Sequence, residues 1–489
     1  MSQSFRLPGK GRTDSTRPVS FTFDGRRLQG CAGDTLASAL LANGIHLVGR
    51  SFKYHRPRGI LTAGSEEPNA LVGVAKSAEA AARGQMTPNL RATQVEIHEG
   101  LVAESQNRWP TLSVDIGAVN DLLAPVFVAG FYYKTFMWPK SFWNRVYEPL
   151  IRAAAGLGRA PTAGDSDRYA NRYAHCDVLV AGAGPAGLVA ALAAARAGAR
   201  VIVADEQAEA GGSLLHDTGA AVEGRPGAAW VTDALAELRD NPRVTLLVRT
   251  TVFGCFNHNF VALAERLSDH LETPGEAVPR ERLWQVRARE IVFATGAIER
   301  PLVFPENDRP GVMMAEAARI YANRYGVLPG AAITVFAACD SAWRAGLELQ
   351  ALGGNVVAIL DLRQEVDAAL VAAAREAGIR TELACSVTGV VGRARVKGVL
   401  LGRLRADGRV TAAGEIACDT LLMSGGWTPN ISLHSQARGK LSYDAERGAF
   451  LPLDPASGHR SAGSAAGVDG LAAVLASGAA AGAAAATRS

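Results

Sequence analysis

Near the start of the chain, Val19-Ser20-Phe21-Thr22-Phe23 alternates apolar and polar side chains with the period of two that a half-buried strand requires. Asp24-Gly25 follows as a two-residue hairpin turn, and Arg26-Arg27-Leu28 begins the return strand. Asp34 is placed to cap a helix over residues 35–43, which Gly44 closes. From His175 the texture becomes alternating β and α. Residues 176–180 read as a buried strand, 185–197 as an Ala-rich helix and 201–203 as the next strand. A second passage of this kind runs from Ile333-Thr334-Val335-Phe336, through an apolar helix, to residues 356–361. Two such units with β-rich connectors predict an α/β architecture in which one dinucleotide-binding domain contains a second, Rossmann-like unit. The last segment, 463–486, is expected to return and finish the first domain.

The predicted organisation is a small α+β module over 1–105, a connecting arm over 106–172, a Rossmann-like domain over 173–310 plus 440–489, and a nested degenerate unit over 311–439. The arm is marked by nine aromatics: Phe127, Phe131, Tyr132, Tyr133, Phe136, Trp138, Phe142, Trp143 and Tyr147. Such clusters suit either a linker packed on its own domains or a surface for a partner. The module's order of strand, turn, strand and helix is how a β-grasp ferredoxin begins. The loop that should then carry the cluster, residues 49–59, has no cysteine, so a cluster-free structural module is expected.

Composition narrows the function. With 48% hydrophobic and 20% charged residues, 489 residues form sizeable cores, which excludes wholesale disorder. A net charge of +4 without a Lys/Arg block argues against a nucleic-acid partner. The six cysteines, at 31, 176, 255, 339, 385 and 418, form no CxxC or metal-like spacing. Neither a disulfide framework nor a metal site is expected from them. The first 18 residues lack the apolar core of a signal peptide. The apolar stretch 470–486 is mostly Ala and Gly, which suits a packed helix better than a membrane span. The expectation is a cytoplasmic protein with no membrane partner.

The chemistry is carried by Gly182-Ala183-Gly184-Pro185-Ala186-Gly187, a GxGxxG between a strand and a helix, with Asp205 at the end of the next strand. Gly182 permits the tight turn, Gly184 lets the backbone approach a pyrophosphate, and Gly187 lets helix and strand pack closely. The helix that opens at Pro185 and Ala186 presents the free N–H groups of its first turn to phosphate, and Asp205 is placed to accept from ribose hydroxyls. Glu206 adds a second carboxylate, which disfavours a 2′-phosphate. Gly211-Gly212-Ser213 is placed to fold back over the nucleotide, and Val252 lies on a strand predicted over 246–253 that can bracket an adenine. Ala294-Thr295-Gly296 resembles the turn by which glutathione-reductase-like flavoproteins, with their two dinucleotide-binding domains, cross the fold. Two departures are visible. The second unit has Phe336-Ala337-Ala338-Cys339-Asp340-Ser341-Ala342 where a phosphate loop needs glycines. Ser464 stands where such flavoproteins carry an aspartate for the flavin ribitol, so NAD is expected ahead of FAD in the first site. No general base or other catalytic residue can be nominated.

The sequence resembles the alpha subunit of bacterial heterotetrameric sarcosine oxidase. The matching passages are residues 51–60 (SFKYHRPRGI), 129–139 (AGFYYKTFMWP), the Gly182 fingerprint with Asp205-Glu206-Gln207, and Gly425-Gly426-Trp427-Thr428-Pro429-Asn430. The resemblance implies a cluster-free ferredoxin-like domain and a non-covalent NAD touching Ala186, Asp205, Glu206, Ser213 and Val252, with Gly426 and Trp427 also at the site. It implies a flavin-bearing beta subunit that demethylates sarcosine, small accessory subunits, and FMN near the alpha–beta interface. The family's alpha subunit continues into a folate-binding domain like that of aminomethyltransferases, which these 489 residues do not include. Two alternatives stand beside this reading: a free-standing FAD-dependent reductase, and the alpha subunit of a related secondary-amine, opine or proline dehydrogenase complex.

Overall fold

The computed structural model describes residues 3–125, 130, 136, 138–154, 158–453 and 458–488. These divide into two compact units. One comprises residues 1–165 and 300–426, the other 166–299 and 427–489.

In the first unit the alternating segment forms strand β1 (Asp14–Phe23), which pairs antiparallel with β2 (Arg26–Ala32). Asp24 and Gly25 take φ of 47° and 75°, the mirror-image turn whose twist suits a two-residue hairpin. Helix α1 (Leu36–Ala42) follows, but its cap is Thr35, whose side chain accepts the Ser38 N–H. Asp34, expected to cap, instead accepts from Ser38 Oγ at 2.7 Å and from the Cys31 N–H at 2.8 Å, and it is paired with Arg6. Strands β3 (Leu71–Ala75), β4 (Thr87–Arg91) and β5 (Val102–Ser105) complete a five-stranded sheet of order β2-β1-β5-β3-β4. Its central pair, β1 and β5, is parallel, which is the β-grasp arrangement. The same unit contains a second, parallel sheet built from Val312–Met314, Thr420–Ser424, Ile333–Ala337, Val356–Asp361 and Arg380–Glu382.

The second unit is built on a seven-stranded sheet. Strands Val244–Leu247, Val201–Ala204, Tyr169–Ala181, Glu281–Phe293 and His459–Ser461 run parallel, and Phe260–Arg266 and Thr250–Phe256 add an antiparallel wing. The strand expected over 246–253 is broken in two. Arg249 takes φ +51° and its N–H bonds to Gln207 O, which interrupts the strand there. Helix Pro185–Arg196 covers the sheet, and Leu471–Arg488 packs against it. The contact is close because it is made by glycines: a Cβ on Gly478 would lie 2.2 Å from Ala186 O, and one on Gly482 would lie 2.1 Å from Ala190 O. Leu471–Arg488 is long and apolar enough to cross a membrane by length and composition; here its small-residue face is used for packing.

Of the aromatic arm, Phe127, Phe131, Tyr132 and Tyr133 lie outside the described residues. Phe136 and Phe142 gather round Tyr147 with ring centroids 5.2 and 6.2 Å away, while Trp138 is 84% exposed.

Candidate functional site

In the second unit the turn after Tyr169–Ala181 is built from glycines with different tasks. Gly182 takes φ +101°, and a Cβ there would lie 2.3 Å from Ala294 O. On Gly187 a Cβ would meet Gly182 O at 1.8 Å, so only glycine lets the helix start pack on the loop. Gly184 is different. The nearest atom to a Cβ on it would be Gly212 Cα at 3.8 Å, an ordinary contact. The fold itself does not require glycine at 184, so the bare backbone leaves room for a group from outside the chain.

Gly212 completes this cradle. Its φ is +54°, and a Cβ on it would come 2.7 Å from Gly184 Cα. Gly211, expected with Gly212 and Ser213 to fold back over the turn, donates its N–H to Ala183 O at 2.8 Å and takes φ +140°. Ser213 lies in the short 3-10 turn Gly212–Leu215 that follows. Helix Pro185–Arg196 begins at Gly184 with Pro185 in its first turn and no side-chain cap. The first N–H groups of such a helix have no intrahelical acceptor, and the helix dipole adds positive potential there. A helix start of this kind can accept an anion, and two close glycines leave room beside it.

Asp205 closes the corner. Its Oδ2 accepts the Ala183 N–H at 2.7 Å and its Oδ1 accepts the Gln207 N–H at 2.8 Å. It is 9% exposed. The sequence supplied the carboxylate but not its hold on the glycine loop. Glu206 is next along the chain and half-buried. Thr250 donates its N–H to Asp205 O, which brings the strand carrying Val252 to the same corner.

Opposite, Thr295 Oγ1 donates to Asn430 O at 2.7 Å, and the Asn430 N–H bonds to Gly296 O at 2.9 Å. Strand Ala297–Glu299 then pairs with Trp427–Pro429, with Trp427 facing Glu299 in register. Gly426 belongs to the first unit, where its carbonyl accepts the Arg300 N–H. Gly463 was not singled out as a site residue. It takes φ +63°, donates its N–H to Ser477 Oγ, and would touch Ala186 Cβ at 2.7 Å if it carried a Cβ. Ser464 follows in the same short turn, Gly463–Ala466.

The corresponding corner of the nested unit is filled by the chain's own side chains. Asp361, fully buried at the end of Val356–Asp361, accepts from Trp343 Nε1 and from the Arg363 N–H, each at 2.7 Å. Arg363 also pairs with Asp340 at the helix start, at 2.8 Å, and these two carboxylates raise its pKa. Cys339 lies 3.2 Å from both Ser341 Oγ and Ser424 Oγ.

With this geometry in view, the relatives are informative. The chain is 51% identical over 477 residues to sarcosine oxidase subunit alpha of Rhizobium meliloti (strain 1021), covering 98% of this chain and 46% of that one. It is 39% identical over 496 residues to the same subunit of Corynebacterium sp. (strain P-1), covering 100% of this chain and 46% of the relative. It thus spans about half the length of the curated relatives it matches. The crystal structure of L-proline dehydrogenase from P. horikoshii shares the fold at a TM-score of 0.64 and 20% identity, covering 98% of this chain and 74% of that one.

Residues 16–108 match a family described as a 2Fe-2S iron-sulfur cluster binding domain. That finding overturns the expectation of no iron–sulfur cluster at the level of the family. The expectation had been drawn from the cysteines, whereas the match follows the β-grasp fold. Cys31 is the one cysteine within the matched residues, and burial pushes its thiol pKa up. Among the described residues no group of three or more His, Cys, Asp or Glu converges as metal ligands. This donor set does not fit four-thiolate ligation. The preference for NAD over a flavin is corrected as well, because the family matching the second segment implies a flavin. That match covers residues 176–450, more than half of the sequence, and includes the whole glycine corner: the chain belongs to the pyridine nucleotide-disulphide oxidoreductase family.

Proposed function

We propose that the second unit holds an adenine dinucleotide, with its pyrophosphate at the first turn of Pro185–Arg196 and its adenosine ribose beside Asp205 and Glu206. The observation that carries this reading is the unfilled space at Gly184, bounded by Gly212 and the uncapped helix start. Gly184 and Gly212 admit the phosphates, the N–H groups of Ala186 and Gly187 bind them, and the Ser213 hydroxyl adds a donor. Glu206 accepts from the ribose and repels a 2′-phosphate, and Val252 flanks the adenine. Thr295 and Gly296 form the crossing past which the redox ring extends, with Trp427 further along. The ring supplies two-electron chemistry when bound; the protein's part is to hold and orient it.

The complex we infer is a sarcosine-oxidase-type oxidoreductase acting on the CH–NH group of a small secondary amine. In it this chain is an alpha-type, assisting part of a cytoplasmic heterotetramer, and a flavin-bearing beta-type subunit oxidises the amine. The similarity to sarcosine oxidase subunit alpha supports this, as does the half-exposed Phe142 next to the more exposed Trp138, a surface suited to a partner. Purification of the chain alone, with its visible spectrum and the mass of the released nucleotide, tests the site: an adenine dinucleotide near one per chain is expected, and a well-folded chain that never takes one up would overturn it. Co-expression with a beta-type subunit tests the assignment to a complex. Sarcosine turnover should need both chains, and turnover by this chain alone would sink the assisting role.

A further inference from the structure

The loop between Arg50 and Pro57, in the first unit, carries a histidine set against a buried carboxylate. Gly49–Arg50 and Pro57–Arg58 form a short antiparallel pair, and the loop between them is closed by the Ser51 N–H to Arg56 O and the His55 N–H to Ser51 O. His55 takes φ +52°, a conformation in which His is enriched among non-glycine residues. Its Nδ1 lies 2.7 Å from Asp115 Oδ2. The Asp115 side chain is fully buried, and its other oxygen accepts the N–H groups of Trp109 and Gly117 at 3.0 and 3.1 Å. Arg50 braces both partners. It donates to His55 O at 3.1 Å, binds Leu112 O through two nitrogens, and stands 3.9 Å from Asp115 Oδ2.

A carboxylate only accepts, so Nδ1 carries the proton of the neutral ring and Nε2 presents a lone pair. Among the described residues the ring makes a single hydrogen bond, the one to Asp115, and the His55 side chain is 15% exposed. Three other histidines differ. His46 is buried and held neutral, with its pKa pushed down to about 3 by burial. His434 has both ring nitrogens engaged, by Lys440 O and Ser461 Oγ. His270 Nδ1 stands 3.5 Å from the carboxylate of its chain neighbour Asp269. Gly117 shows that the fold makes room for the ring: a Cβ there would lie 2.4 Å from His55 Nδ1.

We propose that His55 and Asp115 form a proton-accepting site, with Nε2 offered to a small ligand bearing an acidic N–H or O–H. In the transfer, the ligand's X–H bond breaks and its electron pair stays on X. The new bond is Nε2–H, and the imidazolium charge is balanced by the Asp115 carboxylate. Phe52, Trp109 and Ile116, which flank the pair along the chain, are each at least half exposed, so a ligand with an apolar body is favoured. The site does not depend on the dinucleotide or on the proposed complex.

Acylation by diethyl pyrocarbonate, followed peptide by peptide on the full chain, reads the availability of each Nε2. His55 is expected to react faster than the exposed His258. Asp115→Asn keeps an oxygen for the Trp109 and Gly117 N–H groups but turns an amide donor on Nδ1. It should slow His55 by about ten-fold, the loss of one charge-assisted bond, and leave His258 unchanged. Gly117→Ala should slow it too, by displacing the ring. Nitrogen NMR should show Nδ1–H in the wild-type ring and Nε2–H in the Asn variant. A wild-type ring already in the Nε2–H form, or a His55 rate indifferent to Asp115→Asn, would overturn the proposal.

Discussion

The carboxylate of Asp205 accepts the N–H of Ala183 at 2.7 Å, across 22 residues of chain. The acidic end of one strand and the glycine turn at the end of its neighbour are therefore a single mechanical element. A change at either end is felt at the other, and the two tasks of Asp205 can be separated.

Asp205→Ala removes the acceptor of two backbone N–H groups in a buried corner, at a cost of about 1–3 kcal/mol. Urea unfolding should show this loss, and the chain should retain less nucleotide. Asp205→Asn, which keeps one oxygen, should fall between. Equal stability of all three proteins would show that the bond to Ala183 contributes nothing.

The two glycines of the turn should respond oppositely. Gly187→Ala forces a methyl into Gly182 O and should destabilise the chain by about 1–3 kcal/mol. Gly184→Ala meets only ordinary contact and should leave stability within about 0.5 kcal/mol while weakening dinucleotide binding. Isothermal titration set beside thermal melting separates the effects; a Gly184→Ala variant that binds as wild type would leave the space at 184 without a use.

Glu67 is 1% exposed and accepts four backbone N–H groups, from Leu61, Thr62, Asn69 and Ala70, as well as the Thr62 hydroxyl. Glu67→Gln replaces one oxygen by a donor facing donors and should cost at least about 2 kcal/mol. Because Tyr321 OH also donates to Thr62 O, hydrogen exchange should quicken in residues 61–70 and near Tyr321 together.

Burial pushes the His46 pKa down to about 3, from an ordinary value near 6.5. The unfolded chain then takes up a proton that the native state refuses. Stability from this residue is whole above about pH 6.5 and is lost by about 1.4 kcal/mol per pH unit as the pH falls toward 3. His46→Phe should flatten that part of the profile in urea titrations at pH 6 and pH 4; an unchanged slope would assign it to other groups.

The alternation at residues 19–23 and the glycine turn at 182–187 were legible because their signals are local: a period of two, and glycines between a strand and a helix. What stayed hidden depended on distance along the chain. Arg249 carries no turn signal, yet its positive φ splits a strand, because Gln207 O holds its N–H. Thr35 and Asp34 are both capping residues, and only Arg6 and Cys31, drawing on Asp34, decide between them. Gly463 became recognisable as part of the corner only once Ala186 was beside it. The cluster question shows the opposite failure: cysteine counting led to a cluster-free expectation, whereas the family match to residues 16–108 follows the backbone.

Helix Leu471–Arg488 lies on Ala186 and Ala190 through Gly478 and Gly482, and His459–Ser461 closes the sheet beside Ile291–Phe293. During synthesis the glycine turn leaves the ribosome long before the elements that hold its helix, with the whole nested sheet made in between. The glycine turn, translated after the β-grasp module, thus gains its full packing only when residues 459–488 have been made. Any ligand that depends on a rigid corner is expected to bind only after residues 459–488 are in place.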